Sequence, residues 1–354
     1  MDKVYLPELE RLRYEMEEAG DSVFMTFGKI ITLVVLNMRY ERIAFSRELP
    51  EHPYLLTRDL VRDAINQFAA WREIAFIQHP SHRLLQEAEA ASLEERHRVL
   101  FDEIWNRYDE QSFENYIERY VRRIRLNNLE PLIRGKRCID LGCGNGNFCF
   151  ALVRCGAASV VGIDFSEHSI RYAESYMRRH NIQTAVFRCA SVYETGLANN
   201  EFDFAIQNGV FHHLDDEDRA LRETVRILKP GGWFWYYTDG EGGISYDLWD
   251  TSVAILRRVP PSFIERVLRT MEVSVPKMVH LMDGLHAVYK HTSWEKATAL
   301  LARFGFSHFR RLTGGYDTDF DLDRIQADPY GREKFGEGDL RILCQLADKK
   351  PCAA

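Results

Sequence analysis

Three things are scarce in this chain. Positive charge is not in excess: 46 Lys and Arg face 53 Asp and Glu, giving a formal net charge of -7. The general field that gathers a nucleic-acid backbone is therefore missing, although a local basic patch is compatible with it. No two cysteines have CxxC spacing. The seven, Cys138, Cys143, Cys149, Cys155, Cys189, Cys344 and Cys352, fall mostly in apolar runs. They are expected to be reduced, buried thiols of a cytosolic protein, not a disulfide framework or a zinc site. Long apolar runs are also lacking. The most apolar stretch, "FGKIITLVVLNM", is about a dozen residues long, against about 20 for a bilayer span. "MDKVYLPELERLRYEMEE" is charged from its second residue, unlike a signal peptide. The expectation is a cytoplasmic chain without a membrane span.

What is present is an ordinary globular composition, 45% hydrophobic and 28% charged over 354 residues, enough for one large domain or two. Residues 1–111 form a helical accessory region by their stripes: Leu60, Ala64, Ile65, Phe68 and Trp71 share a face, and "SLEERHRVLFDEIW" makes another stripe. Phe24, Phe27, Ile31, Val34, Val35 and Met38 read as the buried face of a further helix. Then Phe113, Tyr116, Ile117, Tyr120, Val121 and Ile124 mark a helix that Ser112 would cap.

From Lys136 onward short apolar strands alternate with amphipathic helices, the rhythm of a parallel sheet with crossover helices. Strands are predicted at "RCIDLG", "SVVGID", "AVFRCA", "FDFAIQN" and "GWFWYYTD", with "KPGG" as a sharp turn into the fifth. Two closing strands follow at "SHFRRLTGG" and "DLRILCQLA", and between them a polar, acidic loop at about 315–338. The core is thus 112–240 plus 293–348, where "SWEKATALLARF" is a helix capped by Ser293 or Thr292. Residues 241–292 interrupt the rhythm as a helical insertion, read as a substrate lid or as a hairpin packed on the N-terminal helices.

The chemistry concentrates in "CIDLGCGNGNF". Gly142, Gly144 and Gly146 follow Asp140 at every second position, between a strand and a helix. Glycines there let backbone amides approach a ligand closely. The dinucleotide fingerprint spaces its last glycine one residue further on and faces a pyrophosphate. A carboxylate at Asp140 would repel that group but would accept an ammonium or a ribose. A second acid, Asp164, ends the next strand 18 residues after Gly146, where a carboxylate can take both hydroxyls of a ribose. The ligand implied is an adenosine carrying a cationic, amino-acid-like chain.

"IDLGCGNG", "VVGIDFS", "FDFAIQNGVFHHL" and "LRETVRILKPGGWFWYY" resemble, in order and spacing, the motifs of class I S-adenosylmethionine-dependent methyltransferases. The small-molecule group with ubiquinone- and sterol-type enzymes is the most similar. The resemblance covers about residues 112–240 and, more weakly, 292–348. It implies an α/β fold: a Rossmann-like, doubly wound, seven-stranded sheet whose last strand is antiparallel. It also implies S-adenosyl-L-methionine as cofactor. Asp140, Gly142, Cys143, Gly144 and Gly146 would border its methionine part, joined by Asn208 and Gly209. Asp164 would hold the ribose and Phe165 would lie against adenine. The family usually has an acid where this chain has Ser191, so Ser191 and the backbone of Val192 would replace that adenine contact.

The implied activity is methyl transfer to oxygen or nitrogen of a small-molecule acceptor. His212 and His213 follow the fourth strand at the rim where an acceptor would sit, and either serves as a general base or makes a structural hydrogen bond. Tyr246, Trp249, His286 and Tyr289 of the insertion are candidates for acceptor contacts. Tyr116 and Tyr120 would close over the cofactor or pack in the core. No metal site is expected. The acids of "HHLDDED" suit a helix start, and "DTDFDLD" lacks the glycine and glutamate of a calcium loop, so it reads as a solvated segment. Two rival functions remain, an RNA methyltransferase and a non-catalytic partner keeping the fold. The first conflicts with the acidic charge and with Asn208-Gly209-Val210-Phe211, where adenine-modifying members have Asn/Asp-Pro-Pro-aromatic. A homodimer is left open.

Overall fold

The computed structural model describes residues 2–77, 110–256, 259–271, 273, 278, 281–282, 290–316 and 319–348. The chain divides into two compact units. One takes Met1–Leu100, Gly242–Ala287 and Asp323–Gly336; the other takes Phe101–Glu241, Val288–Leu322 and Glu337–Ala354.

The second unit holds one sheet of seven strands. These are β1 (Arg137–Leu141), β2 (Ser159–Asp164), β3 (Ala185–Cys189), β4 (Phe202–Asn208), β5 (Leu228–Asp239), β6 (Phe306–Arg311) and β7 (Asp339–Leu346). Their order is β3-β2-β1-β4-β5-β7-β6. β1 to β5 pair in parallel, and β7 runs antiparallel to both β5 and β6. This is the doubly wound α/β fold expected from the alternation. β5 starts earlier than "GWFWYYTD" suggests. "KPGG" lies inside it, accommodated by a register shift opposite Phe202/Phe204 and a positive φ of 74° at Gly231. A strand irregularity replaces the expected turn.

Alternation along the strands builds two cores. On one face Cys138, Phe204, Ile206, Trp235 and Leu343 meet Phe113, Ile117 and Val121 of the helix Glu110–Leu126, and Phe148 and Leu152 of the helix Asn147–Arg154. On the other, Ile139, Ala205, Phe234 and Ile342 meet Leu221 and Ile227 of the helix Glu217–Ile227, and Ala297 and Leu301 of the helix Trp294–Arg303. Asp216 and Ser293 cap the last two helices, each side chain accepting a backbone N–H in the first turn. The expected cap Ser112 instead lies inside its helix, which begins at Glu110. The stripe "SLEERHRVLFDEIW" lies outside the described residues.

The acidic segment before β7 is not a solvated loop. Asp319 and Asp321 are buried in a cluster with Arg123 and Arg341, which also takes in Asp339 and the half-buried Arg119. Three carboxylates thus meet three guanidinium groups, and neutralisation by distant arginines is what admits them. Two short helices, Leu322–Ala327 and Gly331–Phe335, follow. Gly314 sits against this cluster: a Cβ there would come within 2.1 Å of Asp319 Oδ2. Gly314→Ala is therefore expected to cost about 3 kcal/mol or more by separating buried partners, read as a lower midpoint in urea unfolding.

The helical unit contains Leu6–Glu18, Val23–Phe45 and Pro53–Ile77 together with Gly243–Leu256 of the insertion, whose Asp247 accepts from Tyr5 and Lys3. This helix of the insertion thus packs with the N-terminal helices. The helix Val23–Phe45 is 23 residues long, so by length and composition it could cross a membrane; 56% of its apolar window is buried. Its buried face is not the expected one. Met25, Ile30, Leu33, Leu36 and Tyr40 are inside, whereas of the stripe named above only Val34 is buried and Met38 is exposed. A helix apolar on most sides does not reveal its inner face through periodicity.

Candidate active site

β1 pairs with β2 on one side and β4 on the other, so the chain order reverses between β1 and β4. Crevices for ligands open at the carboxyl ends of strands at such a point. The glycine loop crosses it. Gly142 and Gly146 have φ of 82° and 89°, and both are hemmed in: a Cβ at Gly142 would meet Val210 at 2.4 Å, and one at Gly146 would meet Phe187 at 2.9 Å. Gly144, with φ of 52°, has nothing within 4 Å of that position. Two glycines therefore let the loop fold, and the middle one faces open space where a ligand can approach the backbone. Gly142→Ala is expected to weaken cofactor affinity and lower the thermal midpoint together, since it is strained by its φ and collides with Val210. Circular dichroism melts with and without S-adenosylhomocysteine measure both.

Asp164 ties the loop to β2. Its Oδ2 accepts from Gly144 N at 2.7 Å and its Oδ1 from Ser166 N at 2.9 Å. A carboxylate oxygen can accept more than one donor, so Asp164 suits ribose hydroxyls while also fixing the loop. Asp140 is 2% exposed and accepts a long contact from the Cys149 thiol at 3.7 Å. Burial, reinforced by Asp164, pushes its pKa up to about 7. The remaining polar atoms point to a zwitterion. Asn145 Nδ2, Asn147 Oδ1 and Asn208 Oδ1 are buried without a hydrogen-bond partner, one donor and two acceptors. Asn208 donates to the Tyr120 hydroxyl at 3.3 Å, and the Tyr120 ring stacks on Phe148 at 4.4 Å. Tyr120 thus joins the packed wall beside the loop. An ammonium near Asp140 and Asn208, with a carboxylate near Asn145, would satisfy these three residues.

This arrangement carries a pH signature. In the unliganded protein the proton on Asp140 is held more tightly than in the unfolded chain. Its stabilising contribution is complete below the reference value of 3.8 and lost as pH rises through about 7. A cationic ligand reverses the preference, because it favours the carboxylate. S-adenosylmethionine affinity is therefore expected to rise with pH up to about 7 and level off above it, and Asp140→Asn to flatten that rise. Calorimetry in steps of about one unit between about pH 5.5 and 8.5 checks this.

The histidines sit on a 3-10 turn, Phe211–His213, directly after β4. Gln207, fully buried in β4, shapes it. Its side-chain oxygen accepts from Val210 N and Phe211 N, both at 3.2 Å, and its amide donates to Tyr237 O at 2.7 Å. The rings of His212 and His213 lie 4.0 Å apart. His212 Nε2 is 3.8 Å from Asp239 Oδ2 at the end of β5. Burial, then Asp339, push the Asp239 pKa up, with His213 and His291 pulling the other way. Residues 290–292 lash the two strand ends together. Lys290 N donates to His212 O at 3.1 Å, Thr292 N to Asp239 O at 3.2 Å, and Glu241 N to Thr292 O at 2.7 Å.

The structure thus brings Asp140, Gly142, Cys143, Gly144, Gly146, Asp164, Asn208, Gly209, His212 and His213 to the strand ends of one unit. Phe165 follows Asp164 directly and is half-buried. Ser191 accepts from Tyr193 N at 3.2 Å, and Val192 is buried beside it. Tyr246 and Trp249 belong to the helical unit, where Tyr246 is buried. His286 and Tyr289 lie outside the described residues. Sequence reasoning missed Asp239, Gln207 and Asn145. Asp239 and Gln207 had a visible signal, a polar residue at the end of, or inside, an otherwise apolar strand.

The doubly wound sheet of order β3-β2-β1-β4-β5-β7-β6, with a glycine loop after β1 and an acid ending β2, is the arrangement implied by the resemblance to class I S-adenosylmethionine-dependent methyltransferases. Residues 139–236 match the family described as a methyltransferase domain. The chain is 30% identical over 115 residues to a ubiquinone biosynthesis O-methyltransferase of Neisseria meningitidis, covering 32% of this chain and 48% of that one. It is 28% identical over 142 residues to the 27-O-demethylrifamycin SV methyltransferase of Amycolatopsis mediterranei, covering 38% and 52%. With an arsenite methyltransferase of Aquipseudomonas alcaligenes it shares 32% over 117 residues, 30% of this chain and 34% of that one. The chain therefore spans about half the length, or less, of the curated relatives it matches.

Proposed function

We propose that this protein transfers a methyl group from S-adenosylmethionine to oxygen or nitrogen of a small-molecule acceptor. The observation that carries the reading is the pair of buried acids, Asp140 and Asp164, on either side of a loop whose middle glycine faces open space. When bound, the cofactor supplies an electrophilic methyl on a sulfonium. The chain's own residues do the rest. Asp164, itself fixed by the Gly144 amide, holds the adenosine end, and Asp140 with Asn208 take the ammonium. The His212 turn directly follows β4, at the same end of the sheet as the glycine loop. An acceptor hydroxyl is a poor nucleophile until its proton is leaving, and His212 beside Asp239 is placed to take that proton. This pair favours oxygen as the acceptor atom.

The acceptor is read as a small molecule because a net charge of -7 supplies no general field for a nucleic-acid backbone. Isothermal titration with S-adenosylhomocysteine, followed by a screen of phenols, alcohols and amines with methyl-labelled cofactor, tests the reading. Micromolar binding and label transfer to a hydroxylated compound are expected. Absence of binding at millimolar ligand would contradict it.

A further inference from the structure

The site is wired to the buried ion cluster, and this goes beyond the assignment of a base. Asp339 lies opposite Asp239 in the β5–β7 register. The hydroxyl of Tyr237 is 3.0 Å from Asp239 Oδ1 and 3.2 Å from Asp339 Oδ1. The other oxygen of Asp339 accepts from Arg341 Nη2 and Phe320 N, at 2.8 and 3.0 Å. Arg341 reaches onward to Asp321 at 2.7 Å and Asp319 at 3.2 Å, and Arg123 holds Asp319 at 2.6 Å. A continuous set of polar contacts thus runs from the helix Glu110–Leu126 to His212.

We propose that Asp239 is a positioning residue for His212, and that Arg341 acts on this pair through Asp339 and Tyr237. The inference rests on the methyltransferase reading for its role in catalysis, while the wiring itself does not.

The argument is one of proton supply. Tyr237 has a single hydroxyl proton for two carboxylates. Arg341 fixes Asp339 as the anion: burial works against its charge, but Arg341 holds its pKa below the usual carboxylate range. With Asp339 pinned as an anion, Asp239 is the member of the pair whose proton is variable, and its pKa is raised by burial and by Asp339. It is also the member facing His212 Nε2. At 3.8 Å the contact is electrostatic, and a charged Asp239 favours the tautomer with its proton on Nε2, which leaves the buried Nδ1 as the accepting nitrogen. The groups facing Asp239 are accounted for on each side. His212 and His213 come from the turn, Tyr237 from its own strand, Asp339 and Arg341 from β7, and His291 from the 290–292 segment. Glu241 and Glu337 nearby are engaged by Lys296 and Arg311.

Carboxyl and ring titrations separate this from mere structural support. Aspartate labelled with ¹³C and histidine labelled with ¹⁵N are followed by NMR across pH, with Asp239→Asn assigning the Asp239 signal. In Asp339→Asn the Asp239 midpoint is expected to fall by about one pH unit, since a like charge is lost. In Tyr237→Phe it is expected to rise, since a donor to the carboxylate is lost. In Asp239→Asn the His212 midpoint is expected to fall. Should Asp339→Asn fail to fold, Tyr237→Phe and Asp239→Asn carry the test. Unmoved Asp239 and His212 midpoints in folded variants would overturn the proposal. Wild-type protein that fails to bind S-adenosylhomocysteine but shows these titrations would instead count against the methyltransferase reading alone.

Discussion

Asp164→Ala is expected to reduce S-adenosylhomocysteine affinity by about 10²-fold, some 3 kcal/mol. Two losses combine. The ribose hydroxyls lose a charged acceptor, and a hydrogen bond to a charged group contributes about 1.5–3 kcal/mol. The Gly144 and Ser166 amides lose their anchor as well, so the loop must be ordered at the moment of binding. Asp164→Asn separates the two effects. An amide keeps one acceptor oxygen but brings a donor to face an amide N–H, so an intermediate loss is expected. Calorimetry gives both affinities, and an unchanged affinity in Asp164→Ala would remove this residue from the site.

The second large effect concerns turnover. His212→Ala is expected to lower kcat by about 10²–10⁴-fold with a hydroxyl acceptor, the range general-base catalysis supplies. Affinity for S-adenosylhomocysteine should stay within about threefold, because the ring is not part of the proposed cofactor cradle. Asp239→Asn should lose less than His212→Ala while moving the pH dependence, because it acts through the ring. His213→Ala provides the comparison. Its ring packs against His212, and a loss equal to that of His212→Ala would shift the role between the two. If neither substitution lowers kcat more than about tenfold, base catalysis by this turn is the wrong mechanism.

Much of the core was legible in the chain because its strands are short, apolar and bounded by glycines or acids. Each of the seven strands overlaps its expected segment, although β5 starts at Leu228 and takes in "KPGG", and Ser293 and Asp216 stand where capping chemistry wants them. The glycine loop and Asp164 were legible for the same reason: their backbone demands are local. What stayed hidden depends on residues far apart in sequence. Asp319 and Asp321 look solvated until Arg123 and Arg341, some 200 and 20 positions away, arrive to neutralise them. Asp239 reads as a strand end until β7 brings Asp339 beside it. The inner face of Val23–Phe45 was misread because nearly every side of that helix is apolar.

A crystal structure of the complex with S-adenosylhomocysteine is the most direct test of the central claim. The account predicts the ribose against Asp164, the amino group between Asp140 and Asn208, and the ligand backbone passing over Gly144. A ligand bound elsewhere, or a loop whose amides make no contact with it, would contradict the account.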